Sequence, residues 1–156
     1  MQTIQKIASF QVDHTLMDPG LYLSRVDGDI TTYDLRTRKP NTPDLMDHAT
    51  MHSLEHMLAT YLRNGPLGPQ VIYFGPMGCQ TGFYLLVRDA HHPTVRKHLI
   101  QALEQTLSHT GEIFGNSEVE CGNYRSLDLQ KAKDEARRYL EVLKAFPEHD
   151  LTYPTK

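Results

Sequence analysis

Between residues 47 and 63 the chain places Met51, Leu54, Leu58, Tyr61 and Leu62 at spacings of three, four and seven, the periodicity of an amphipathic helix. Asn64-Gly65-Pro66 stops it. Residues four apart on a helix lie about 40° apart around its axis, and residues three apart about 60°. His52 and His56 therefore stack one turn apart on one face, with Glu55 beside them and small Ala59 leaving room beyond. The apolar stripe is centred well away from that face, so the histidines are not part of the packed side. His-x-x-Glu-His is the inverted zinc motif, two ligands and a general base. Polar residues on a solvated helix face would look the same.

The rest of the chain supplies partners for this helix. Residues 21–26 and 30–35 are apolar-rich runs joined by Asp27-Gly28-Asp29, a hairpin signal. Residues 71–74 and 83–87 are two further β-rich runs, flanking the glycine- and proline-rich loop 75–82. Helices are predicted over residues 93–108, with the stripe Val95, Leu99, Leu103 and Leu107, and over residues 129–145, with Leu129, Ala132, Ala136, Leu140 and Leu143. This order predicts one α+β domain over residues 1–156. It would be a two-layer sandwich, a mostly antiparallel sheet with helices packed on one face.

Two donors leave a catalytic metal site incomplete, since such sites usually take three protein ligands and an open position. Cys121, in a loop before the last helix, offers a soft thiolate donor, and as a small buried hydrophobe it would be equally ordinary. Cys79 follows Gly78 in the loop between two strands, where a nearby cation would favour its thiolate near neutrality; filling a gap is its plainer role. Only two cysteines are present, and in a reducing compartment they stay free. Arg36 and His14 stand near strand ends with nothing in their spacing to single them out, and the six other histidines show no paired spacing and read as surface. The net charge of −3 comes without a basic run, which speaks against nucleic acid. No apolar run approaches the roughly 18 residues of a spanning helix or makes residues 1–10 a signal peptide, so the expected location is the cytoplasm, away from membranes.

The strings Pro76-Met77-Gly78-Cys79-Gln80-Thr81-Gly82 and His52-Ser53-Leu54-Glu55-His56, with Ser9-Phe10, Asp13-His14, Tyr33-Asp34-Leu35-Arg36 and Cys121-Gly122, together resemble the S-ribosylhomocysteine lyase family, over residues 9 to about 145. The resemblance implies a fold related to the inverted-motif metallopeptidases and an enzyme of the activated methyl cycle. It would cleave the thioether of S-ribosyl-L-homocysteine to L-homocysteine and 4,5-dihydroxy-2,3-pentanedione, a quorum-sensing autoinducer precursor. By the same resemblance His52, His56 and Cys121 hold one divalent metal per subunit, iron(II) in the active form with zinc or cobalt as substitutes. Glu55 and Cys79 are the acid/base pair, Ser9, His14 and Arg36 contact the substrate, and two subunits form a homodimer with active sites at the interface. The chain departs from the family pattern at Tyr73, where an aspartate that holds the substrate's amino group is common, at Gly75, commonly serine, and at Thr37, commonly aromatic; these bear on affinity for the substrate's tail. Two other readings fit the motif: a metallopeptidase taking Glu112, Glu118 or Glu120 as third ligand, and a non-catalytic domain with a structural zinc.

Overall fold

The structure, a computed structural model, describes residues 3–156. Its elements run α1 (Ala8–Gln11), β1 (Gly20–Asp27), β2 (Ile30–Arg36), α2 (His48–Asn64), β3 (Val71–Pro76), β4 (Gly82–Arg88), α3 (His92–Ser108) and α4 (Leu129–Ala145). Two hairpins, β1–β2 and β3–β4, join through β2 and β4 into one antiparallel sheet of order β1-β2-β4-β3. The α+β class with an antiparallel sheet is as expected.

Alternation along the central strands sorts the two faces of this sheet. Tyr33, Leu35, Phe83, Leu85 and Val87 have no solvent exposure and merge with Leu54, Leu58, Leu99, Leu103, Ala136 and Leu143 of the helices into one core. Thr32, Asp34 and Arg36 of β2, with Tyr84 and Leu86 of β4, point the other way. The helices thus cover one face. Residues around α1, Ile7, Ala8 and Ser9, and Tyr153 near the end of the chain lie against the opposite face.

The helix limits read from periodicity hold to within a residue, and their caps show why. Asp47 accepts the Thr50 N–H at 2.8 Å at the start of α2, and Asp128 accepts from Gln130 and Lys131 at the start of α4. The buried stripes differ in detail. On α2 the core takes Met57 while Met51 is only half-buried, and on α4 it takes Tyr139 and the carboxylate Glu135. Glu135 is admitted because Arg38 binds it in a fork, Nη2 to Oε1 at 2.6 Å and Nε to Oε2 at 3.0 Å. The loop between β3 and β4 is shorter than expected, because pairing extends to Pro76 and resumes at Gly82. Of the histidines read as surface, His92 and His109 are half-buried and hold the hydroxyls of Tyr33 (2.6 Å) and Tyr61 (2.7 Å).

Candidate active site

Helix α2 turns His52 and His56 toward the loop that carries Cys121. The Cys121 Sγ lies 3.3 Å from His52 Nε2 and 3.7 Å from His56 Nε2. The three donor atoms lie within 4.8 Å of one another, close enough to share one ion. The loop is pinned to the same helix: Ser53 Oγ accepts the Asp128 N–H at 2.8 Å, so the chain leaving Cys121 returns onto α2.

The remaining ring nitrogens settle which tautomer each histidine adopts. His56 Nδ1 lies 2.7 Å from the Phe114 carbonyl, which only accepts, so Nδ1 carries the hydrogen. His52 Nδ1 lies 2.6 Å from Ser126 Oγ, whose own hydrogen goes to the Asn123 carbonyl at 3.1 Å; the hydroxyl oxygen therefore accepts from His52. Both Nε2 lone pairs are left bare and aimed at the sulfur. Burial, with His56 and His48 nearby, pushes the His52 imidazolium pKa down and keeps the ring neutral. The Asn123 N–H points at Cys121 Sγ from 3.4 Å. Two imidazoles oriented by outer partners and one cysteine sulfur form a donor set suited to a divalent transition metal. Gly115 permits this approach: at φ 70°, a Cβ there would stand 2.8 Å from His56 Nδ1. Glu55 stands half-buried on the same helix, its carboxyl pushed up by burial and opposed by the neighbouring His56.

On the other face of the sheet, Ser9, Phe10, His14, Arg36, Cys79 and Tyr84 line one cavity of about 400 Å³. Arg36 is not the surface residue its spacing suggested. It is 2% exposed, because Asp34 on the same strand binds it twice, from Nε at 3.1 Å and Nη2 at 2.5 Å. Its free Nη1 donates to Thr81 Oγ1 at 2.8 Å and points at Cys79 Sγ from 3.8 Å, while Thr81 Oγ1 lies 3.0 Å from that sulfur. The tip is held by backbone ties: Thr81 O accepts from Thr37 and Arg38, and Met46 N–H and Gln80 O bond at 3.0 Å. His14 is half-buried, Nδ1 donating to the Val12 carbonyl at 3.0 Å.

The Tyr73 phenol folds back over Gly75, where a side chain would collide with its hydroxyl. A second cavity of about 360 Å³, sharing Ser9 and Tyr84 with the first, is walled by Tyr73 and by the Arg25–Asp27 ion pair.

The expected site residues thus form two groups. His52, His56 and Cys121 converge on the helical side, and Ser9, His14, Arg36 and Cys79 share a cavity on the sheet's other side. The cavity at Cys121 is lined by Glu118, Gly122, Asn123, Tyr124 and Arg125 and by none of the second group. Sequence reasoning missed Ser126 and the Phe114 carbonyl, which no spacing announces. It also missed Asp34, which the two-residue period of a strand places on the face of Arg36.

A family model described as S-Ribosylhomocysteinase (LuxS) matches residues 7–149. Relatives named S-ribosylhomocysteine lyase include one from Desulfotalea psychrophila, 44% identical over 97% of this chain and 100% of its own length. Others are from Finegoldia magna, 42% identical over 97% of this chain and 99% of its own, and from Borreliella burgdorferi, 40% identical over 97% and 100%.

Proposed function

The chain belongs to the S-ribosylhomocysteinase family, and on that premise we propose that it cleaves the thioether of S-ribosyl-L-homocysteine, releasing L-homocysteine and 4,5-dihydroxy-2,3-pentanedione. The observation that carries this reading is the convergence of His52 Nε2, His56 Nε2 and Cys121 Sγ beside Glu55. Three donors, among the described residues, suit an open catalytic site rather than a structural zinc, which is normally closed by four.

His52, His56 and Cys121 would hold one divalent ion, iron(II) in the active form with zinc or cobalt able to replace it, which would supply a Lewis acid for the sugar carbonyl and its neighbouring C–H. The carbonyl migrates from C1 to C2 to C3, and each migration moves one proton off carbon and one onto carbon. Glu55, whose carboxyl is pushed up by burial, and Cys79, whose thiolate faces Arg36 and Thr81, serve as the two proton carriers. With the carbonyl at C3, removal of the C4 proton expels sulfur from C5: the C5–S electron pair goes to sulfur, which takes a proton as homocysteine leaves. Ser9 and His14, in the cavity of Cys79, hold the ribose.

A homodimer supports this chemistry better than one subunit. Glu55 sits in the helical layer and Cys79 on the opposite side of the sheet, where Ile7 and Phe10 are 58% and 68% exposed. A second subunit laid on that face would cover these apolar residues and bring a metal group to each Cys79 cavity. Residues 1–156 act as one domain, and its His-x-x-Glu-His helix on an antiparallel sheet supports kinship with the metallopeptidases of that motif. No helix among the described residues is long and apolar enough to cross a membrane. The cytoplasm is the place we assign, with the five-carbon product feeding an autoinducer.

The test is to incubate iron-loaded protein with S-ribosylhomocysteine and titrate free thiol. The expected result is homocysteine release that falls by about a hundredfold or more in Cys79→Ala and in Glu55→Gln. No release by the wild type overturns the activity, and full-rate release by the variants overturns the two roles.

A further inference from the structure

The end of the chain reaches the Asp34–Arg36 pair beside the thiol pocket. After α4 the chain returns along β1, where the Leu23 N–H donates to the Leu151 carbonyl at 2.8 Å and Leu151 is buried. Two residues later the Tyr153 ring stacks on Tyr22, centroids 5.1 Å apart and planes 22° from parallel. Tyr22 is the β1 partner of Asp34. The stack delivers the Tyr153 hydroxyl to Asp34 Oδ2 at 2.7 Å.

That hydroxyl completes a buried carboxylate. Asp34 has no solvent exposure, and its oxygens accept Nε and Nη2 of Arg36 and the Tyr153 O–H. The fork to Asp34 uses Nε and Nη2 of the guanidinium, and Nη1 turns to Thr81 and Cys79. Losing the hydroxyl removes one of the two donors on the buried Oδ2, a loss that Arg36 offsets by shifting toward Asp34 and away from the sulfur. We propose that Tyr153 is a positioning residue for Cys79, acting through the Asp34–Arg36 pair to aim Arg36 Nη1 at the thiolate.

The inference builds on the role proposed for Cys79, but its test needs no ribosyl substrate. Metal-loaded protein is treated with iodoacetamide at neutral pH, and alkylation of the Cys79 and Cys121 peptides is followed separately by mass. Tyr153→Phe keeps the ring stack and removes only the hydroxyl. It should slow Cys79 alkylation about fivefold while leaving Cys121 alkylation near wild type. In an Arg36→Met background the same substitution should change the Cys79 rate by less than about twofold, since the connection is already cut. Arg36→Lys, which retains a charge but not the fork, serves as a second background with the same expectation. Unchanged Cys79 alkylation in Tyr153→Phe overturns the proposal. Equal slowing with and without Arg36 overturns it too, because it would place the effect on another route. Slowed alkylation together with absent turnover of the ribosyl substrate would count against the enzyme assignment alone.

Discussion

At the scale of single residues, what distinguishes the metal group is the atom opposite each donor. His52 and His56 face Cys121 with Nε2 because Ser126 Oγ and the Phe114 carbonyl occupy their Nδ1 atoms. Outer partners of this kind typically carry a tenfold to hundredfold share of metal affinity. Ser126→Ala should therefore weaken binding about tenfold in a chelator competition while leaving the circular dichroism spectrum unchanged, and unaltered affinity would mean that the hydroxyl does not orient His52. The His-x-x-Glu-His spacing made both candidate ligands legible, since helix geometry is local. Ser126 was not legible: it lies 74 residues from His52 in sequence and meets it only through the return of the loop onto α2.

At the scale of elements, α2 is the part on which the metal group depends, and Asp47 ties down its first turn. Its carboxylate accepts the Thr50 N–H at 2.8 Å and binds Lys131 Nζ of α4 at 2.7 Å. The Lys131 ammonium, with Thr50, holds the Asp47 carboxyl well below the usual carboxylate range. A depressed folded-state value contributes stability that is fully present above the ordinary carboxylate value and is lost as pH falls through the folded one. Asp47→Ala should cost about 1 kcal/mol in urea unfolding at neutral pH. The gap to the wild type should narrow in strong acid, where both proteins lack the charge. A gap constant across that range would exclude Asp47 as its source. The helices and the first hairpin were readable because apolar period and turn residues act within a few residues of chain, whereas the Asp47 and Asp128 caps were not singled out. The loop between β3 and β4 was less readable, because Gly75, Pro76 and Gly82 favour turns alone and join strands only once β4 is paired with β2.

At the scale of the molecule, the two halves of the proposed site lie in different layers. If a second subunit brings them together, Cys79→Ala and Glu55→Gln protomers, each inactive alone, should regain thiol release when refolded together, since a mixed dimer keeps one site with both carriers intact. Continued inactivity, with mixed dimers confirmed by mass, would place both carriers of a site in one subunit. The sequence by itself determined the identity and limits of the long helices, the first hairpin, the helix that carries His52, Glu55 and His56, and the family, all of which reside in short-range spacing or in contiguous strings. Only the tertiary structure decided the strand order β1-β2-β4-β3, the burial of Arg36 against Asp34, the partners that set each histidine tautomer, and the return of Tyr153 to Asp34. The reason is one of distance along the chain. Asp34 and Tyr153 are 119 residues apart and are joined by a stack, a backbone hydrogen bond and the burial of Leu151. Interactions of that kind leave no period for a sequence to display.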